Sequence, residues 1–195
     1  MSVPANRKGI LRLVVFALYT VAIFVSLPFG RSIALMIRRW GWLSLSGYII
    51  TAALVAFFVL LIFPYFVSQP LKNRLCLFIP VIITGAMFLA LELPEERLHF
   101  VEYGVLGYMA GWALAGLGKW PGRFKEALGV LFCIGLLDEL VQGILPSRFF
   151  GLHDVFWNMV SSWCGLWVFL ISTRHKEVQA MEAHGRGKTC KKSTI

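Results

Sequence analysis

The chain has 195 residues, 58% of them hydrophobic and only 15% charged, with a formal net charge of +9 and a positive mean hydropathy. So apolar a composition excludes an ordinary soluble domain of this length. The basic residues gather at the ends of apolar runs and at the C-terminal end, which argues for membrane flanks and against nucleic acid as a partner.

Several apolar runs of about 18 to 25 residues are each long enough to cross a hydrocarbon core about 30 Å thick. Lipid forces backbone groups to pair internally, in helices or a closed barrel, and these runs lack the alternation of barrel strands. The expected fold is therefore all-α, a polytopic membrane helix bundle of about six transmembrane helices in the cell membrane.

The first run, 10–29, follows Arg7 and Lys8 and includes Arg12. It exceeds the 7 to 15 residues of a signal-peptide core and has no small-x-small cleavage site, so it is read as a retained span. Residues 31–40 alternate apolar groups with Arg31, Arg38 and Arg39 and suit the membrane interface. A second span, 41–66, is closed by Pro64 and Pro70. A third, 75–93, has Pro80 as an expected kink and Pro94 as its stop, followed by a short acidic link from Glu92 to Arg97. A fourth is expected from His99 to about 117, with Gly104, Gly107, Gly111 and Ala115 forming a face of small residues for close packing. The polar link 118–126 leads to a fifth span, 127–145, ended by Pro146; a sixth runs over 152–172. The basic remainder, 173–195, is expected to be disordered at the cytoplasmic surface. The chain thus divides into two N-terminal spans with their interfacial link (1–74), a four-helix core (75–172) and a tail (173–195).

Orientation follows from where the cations fall. With the N-terminus in the cytoplasm, fourteen Lys and Arg lie inside, and Arg31, Arg38, Arg39, Arg97 and Arg148 lie outside, so both termini are placed inside.

The most informative stretch is 138–158, where Asp138, Glu139, Gln142, Arg148, Asp154 and Asn158 interrupt two strongly apolar runs. Ionisable groups at membrane depth are costly and face a bundle interior, a partner or a cavity. In the six-span topology Asp138 sits roughly 12 Å below the outer end of its helix at 1.5 Å per residue. Asp138 and Gln142 share a face, as do Asp154 and Asn158, while Glu139 points about 100° away from Asp138. His99, Glu102 and Tyr103 occupy i, i+3 and i+4 at the outer end of the fourth span, with Glu92 nearby at the end of the third.

The expected site is an outward-facing polar pocket. Glu139, Asp138 and His99 are the candidates for proton transfer. Arg148, Gln142, Asp154, Asn158, Glu102 and Arg97 are the candidates for binding, Arg148 being suited to a phosphate or carboxylate head group. The alternative is that these groups only satisfy one another as interhelical glue. Cys76, Cys133, Cys164 and Cys190 form no CxxC pair, so no zinc site and no disulfide framework is assigned. No metal ligand set is assigned either, although carboxylate and amide oxygens suit Mg²⁺ if the protein is an enzyme.

The pattern Arg97-x-His99-Phe100-x-x-Tyr103-x-x-Leu106-Gly107, then Asp138-Glu139-x-x-Gln142-x-x-x-Pro146-x-Arg148, then Asp154-x-x-x-Asn158, resembles the VanZ-like membrane proteins. That family is named after a component of glycopeptide-resistance clusters that affects teicoplanin susceptibility. The resemblance covers 75–172. Members often have lysine where Arg97 stands and usually glycine where Ser161 stands, with Gly165 matching the next small position.

The resemblance implies a multi-pass protein of the bacterial cell envelope and supplies no reaction. It points to engagement of a membrane lipid or lipid-linked cell-wall component at the outer leaflet, with an effect on glycopeptide susceptibility. A hydrolase or transferase acting on a phosphate-bearing lipid is the first alternative, and a proton-coupled transporter the second. The absence of an inverted repeat and the off-centre acids count against transport.

Overall fold

A computed structural model describes residues 7–40, 49, 66–67, 69–91, 94–118, 120, 122–145 and 150–190. Among the described residues the chain is entirely helical. The helices are α1 (Arg7–Arg39), α2 (Leu71–Ala90), α3 (Pro94–Ala115), α4 (Phe124–Ile144) and α5 (Leu152–Cys190). Among the described residues four segments are long and apolar enough to cross a membrane: Arg7–Phe29, Leu71–Ala90, Phe124–Ile144 and Leu152–Thr173. The expected second span, 41–66, lies outside the described residues apart from Ile49 and Phe66.

The first span expected at 10–29 is matched by the apolar segment Arg7–Phe29, and α1 itself continues through Pro28 to Arg39. Proline is tolerated within long apolar helices where neighbouring groups re-satisfy the backbone. Pro94 is more than a stop for the third span: it opens α3, at the first helical position, where its missing N–H costs nothing. Glu96 and Arg97 therefore lie in the first turn of a helix rather than in a link. The tail expected to be disordered from Thr173 is helical as far as Cys190. Its Lys176-Glu177-Val178-Gln179-Ala180-Met181-Glu182-Ala183 stretch is rich in strong helix formers, and local propensity outweighs the lack of an apolar face.

A helix that opens on polar residues holds the bundle together. The start of α3 carries Glu96, Arg97, His99 and Glu102, and it is not among the four most apolar segments, yet it packs against α1, α4 and most extensively α5. Against α1 it runs antiparallel. Arg12 reaches the Trp112 carbonyl at 3.5 Å and lies over its ring, 5.2 Å from the centroid, while the Tyr19 hydroxyl donates to the Glu102 carbonyl at 3.3 Å.

Against α5 the two backbones run parallel and nearly touch. A Cβ on Gly107 would collide with the Ser162 carbonyl, and one on Gly165 with the Gly104 carbonyl. The small-residue face expected on α3 is thus an α5 contact at Gly104, Gly107 and Gly111. Ser161, where the resemblance expects glycine, donates its hydroxyl to the Phe100 carbonyl. On the far side of α5, Trp167 donates to the Cys76 carbonyl of α2 at 3.1 Å.

Large apolar side chains lie exposed while several polar ones are enclosed. Leu18, Ile82, Leu89 and Ile144 are among the exposed apolar side chains, Leu89 at 89%, while Asp138, Glu139, Gln142, Asn158, Ser161 and Ser162 are buried. An apolar core of Ile23, Tyr103, Leu106, Ala110, Leu131 and Leu166 lies beneath the polar end.

Candidate functional site

The start of α3, the end of α4 and the start of α5 meet at one end of the bundle. Antiparallel packing of α4 on both neighbours makes this unavoidable, because α3 and α5 are parallel and each is joined at its start to a descending partner. Asp138, Glu139 and Gln142, in the last two turns of α4, are thereby brought opposite His99 and Glu102 in the first turns of α3.

His99 lies between two carboxylates. Its Nε2 is 3.0 Å from Asp138 Oδ2, and its Nδ1 is 3.3 Å from Glu102 Oε2. A carboxylate only accepts, so each ring nitrogen faces an acceptor. Gln142 Nε2 donates to Asp138 Oδ2 at 2.9 Å and to Glu139 Oε1 at 3.0 Å, clamping the two adjacent acids together. This works although Asp138 and Glu139 differ in direction by about 100°, because Gln142 is four residues from one and three from the other. The second Glu139 oxygen accepts the Gly151 backbone N–H at 3.3 Å, a tie to the entry of α5.

The degree of enclosure decides how costly these acids are. Asp138 is 0% exposed and Glu139 1%, while the His99 and Glu102 side chains keep 21% and 29% accessibility and form the open side. Among the described residues, Asp138 Oδ1, Tyr103 Oη, Asn158 Nδ2 and Ser162 Oγ are buried side-chain atoms without a hydrogen-bond partner. Tyr103 lies beside Asp138, and both Tyr103 and Asn158 flank Gly135, one turn below the acids.

Of the residues expected from sequence, His99, Glu102, Asp138, Glu139 and Gln142 come together directly. Asn158 is buried against the base of the same cluster. Asp154 is close enough to Glu139 to bear on its charge, but its side chain is 57% exposed in the first turn of α5. It therefore does not share the burial of Asn158, one helical turn further on. Arg97 turns back to the end of α2, donating from Nε to the Leu91 carbonyl at 3.0 Å, and so holds the α2–α3 corner. Arg148 and Glu92 lie outside the described residues. His153 pairs edge-on with Trp157, centroids 4.9 Å apart, and its Nδ1 lies 4.0 Å from Asp154 Oδ1.

Two contributors were given no role by the sequence. The Gly151 N–H is a backbone donor, which no residue type announces. Tyr103 was visible at helical spacing from His99, and its buried, unpartnered hydroxyl becomes apparent only once Asp138 is placed beside it.

Chemically, the arrangement can accept hydrogen bonds, share a proton between imidazole and carboxylate, or hold a cation. Compared with known proteins, the chain matches no protein-family model, no curated protein and no solved structure.

Proposed function

We propose that the chain is a multi-pass protein of the bacterial cell envelope, with six crossings and both termini in the cytoplasm. Its polar chamber engages a lipid-linked or cell-wall component at the outer leaflet, as the VanZ-like resemblance implies. The observation that carries this reading is the buried cluster of His99, Asp138, Glu139 and Gln142 at one end of a bundle whose exterior is apolar. An apolar exterior around a polar interior is the distribution a lipid environment favours.

Helix direction supports the count. α1, α2 and α4 run one way and α3 and α5 the other, which fits an odd number of crossings between α1 and α2. With the N-terminus inside, the cluster then belongs to the outer half of the bilayer. Carboxylate oxygens and the glutamine carbonyl accept hydrogen bonds, so the chamber suits a donor-rich head such as glycan hydroxyls or an amine. Glycopeptide susceptibility, teicoplanin first, is the phenotype that follows from the resemblance.

The test compares cells with and without the protein, at matched membrane levels, for teicoplanin susceptibility and for capture of lipid-linked wall precursors. A shift in either that is lost in Glu139→Gln supports the reading. No change in both contradicts it.

A second reading is favoured by the convergence of one imidazole and two carboxylates. In it the protein is a hydrolase or transferase acting on a phosphate-bearing lipid, with Glu139 or Asp138 as base and His99 as its partner. Turnover of a polyprenyl phosphate or pyrophosphate by purified protein, abolished by Glu139→Gln, would establish it.

A further inference from the structure

We propose that His99, Asp138 and Glu139 form a site for one divalent first-row transition ion, held by one imidazole nitrogen and two carboxylate oxygens. These three side chains each present a ligand atom, all within 4.8 Å of one another. At metal–ligand distances of about 2.0 to 2.2 Å, two ligands can stand at most about 4.4 Å apart, so a small rotation of one side chain closes the set. His99 Nε2 and Asp138 Oδ2, 3.0 Å apart, already have the spacing of adjacent ligands at roughly 90° around such an ion.

The surroundings have the form of a metal site's supporting shell. With an ion bound, Glu102 would accept from His99 Nδ1 and leave the Nε2 lone pair for the metal. A carboxylate on the far nitrogen is the usual partner of a metal-bound histidine. Gln142 donates to both acids and aims them at the same point, and Gly151 holds the remaining Glu139 oxygen.

The independent sign of a ligand is the set of unpartnered groups around the acids. Asp138 Oδ1 is fully buried with no donor, and the Tyr103 hydroxyl, 0% exposed, lies beside it without a hydrogen bond. A buried polar group left unsatisfied is destabilising by roughly 1 to 3 kcal/mol. An ion on the two carboxylates would satisfy Asp138 Oδ1, and Tyr103 is placed to donate to that carboxylate or to a water on the ion. The mixed nitrogen and oxygen donors favour a transition ion over Mg²⁺ or Ca²⁺, which take oxygen. The inference concerns the chamber of the proposed function but needs no head group, so either can fail without the other.

The experiment uses the full chain in detergent micelles, stripped with a chelator and titrated with Mn²⁺, an ion that thiolates bind poorly. Pulsed electron paramagnetic resonance then reads the ligands. The expected result is one Mn²⁺ per chain with coupling to a single imidazole nitrogen. The coupling is lost in His99→Gln, affinity falls tenfold or more in Asp138→Asn, and Glu126→Gln is unchanged. Should a variant not fold, the wild-type spectrum still decides. Folded wild-type protein that takes up no stoichiometric Mn²⁺, or takes it up without nitrogen coupling, overturns the proposal and leaves an imidazolium bridging the acids.

Discussion

His99 and Asp138, 39 residues apart in sequence and on different helices, meet at 3.0 Å and fix the rotation of α3 against α4. Rotating either helix by one residue, about 100°, would separate them and turn a carboxylate toward the apolar exterior. Because Gln142 donates to both Asp138 and Glu139, the pair sets the geometry of the whole polar cluster.

Removing the Asp138 carboxylate should therefore cost more than removing an exposed acid. Asp138→Ala strips the acceptor from His99 and Gln142 and is expected to destabilise by about 1 to 3 kcal/mol. Glu126→Ala, at a 59% exposed side chain paired with Arg123, should change stability by less than about 1 kcal/mol. Reversible unfolding in mixed micelles would check both.

Gly107 and Gly129 offer a contrast within one residue type. Gly107→Val should force α3 from α5, because its Cβ meets the Ser162 backbone, and should lower stability by more than about 2 kcal/mol. Gly129→Ala has open space within 4 Å and should stabilise by about 0.5 to 1 kcal/mol through helix propensity. Thermal melts of the two purified variants should move in opposite directions.

Ser161→Ala removes the hydroxyl that bonds the Phe100 carbonyl and should cost about 1 kcal/mol. Ser161→Gly, the residue the family resemblance expects, should cost a similar amount or slightly more. Either change should leave Mn²⁺ uptake intact, since Ser161 lies below the chamber. Loss of uptake in a folded Ser161→Ala protein would show that the site extends to this contact.

Orientation can be read with an impermeant thiol reagent on intact cells carrying single-cysteine variants. Leu152→Cys, exposed at the chamber end, should be labelled, and Lys125→Cys, at the start of α4, only after the membrane is opened. The reverse pattern would place the chamber in the cytoplasm.

The sequence made the chamber's components legible because ionisable residues are rare in apolar runs, and the spacing of Asp138 and Gln142 marks a shared face. It also marked Gly104, Gly107 and Gly111 as a close-packing face, although nothing in one helix says which partner it meets. Periodicity alone could not show that Asp154 and Asn158 differ in burial, since the start of a helix can leave the bundle while its next turn enters it. Nor could it show α1 passing Pro28 or α5 reaching Cys190, where local helix preference carries the chain beyond its apolar span.

A double-mutant cycle between His99 and Asp138 tests the chamber most directly. His99→Gln, Asp138→Asn and the double variant would be unfolded reversibly in the same micelles, and the coupling taken from the four stabilities. The structure predicts a favourable coupling of at least about 1 kcal/mol, as expected for a buried, charge-assisted hydrogen bond. Additive effects in folded proteins, with no coupling, would mean that the imidazole and the carboxylate do not meet and that the polar residues of α3 and α4 form no common site.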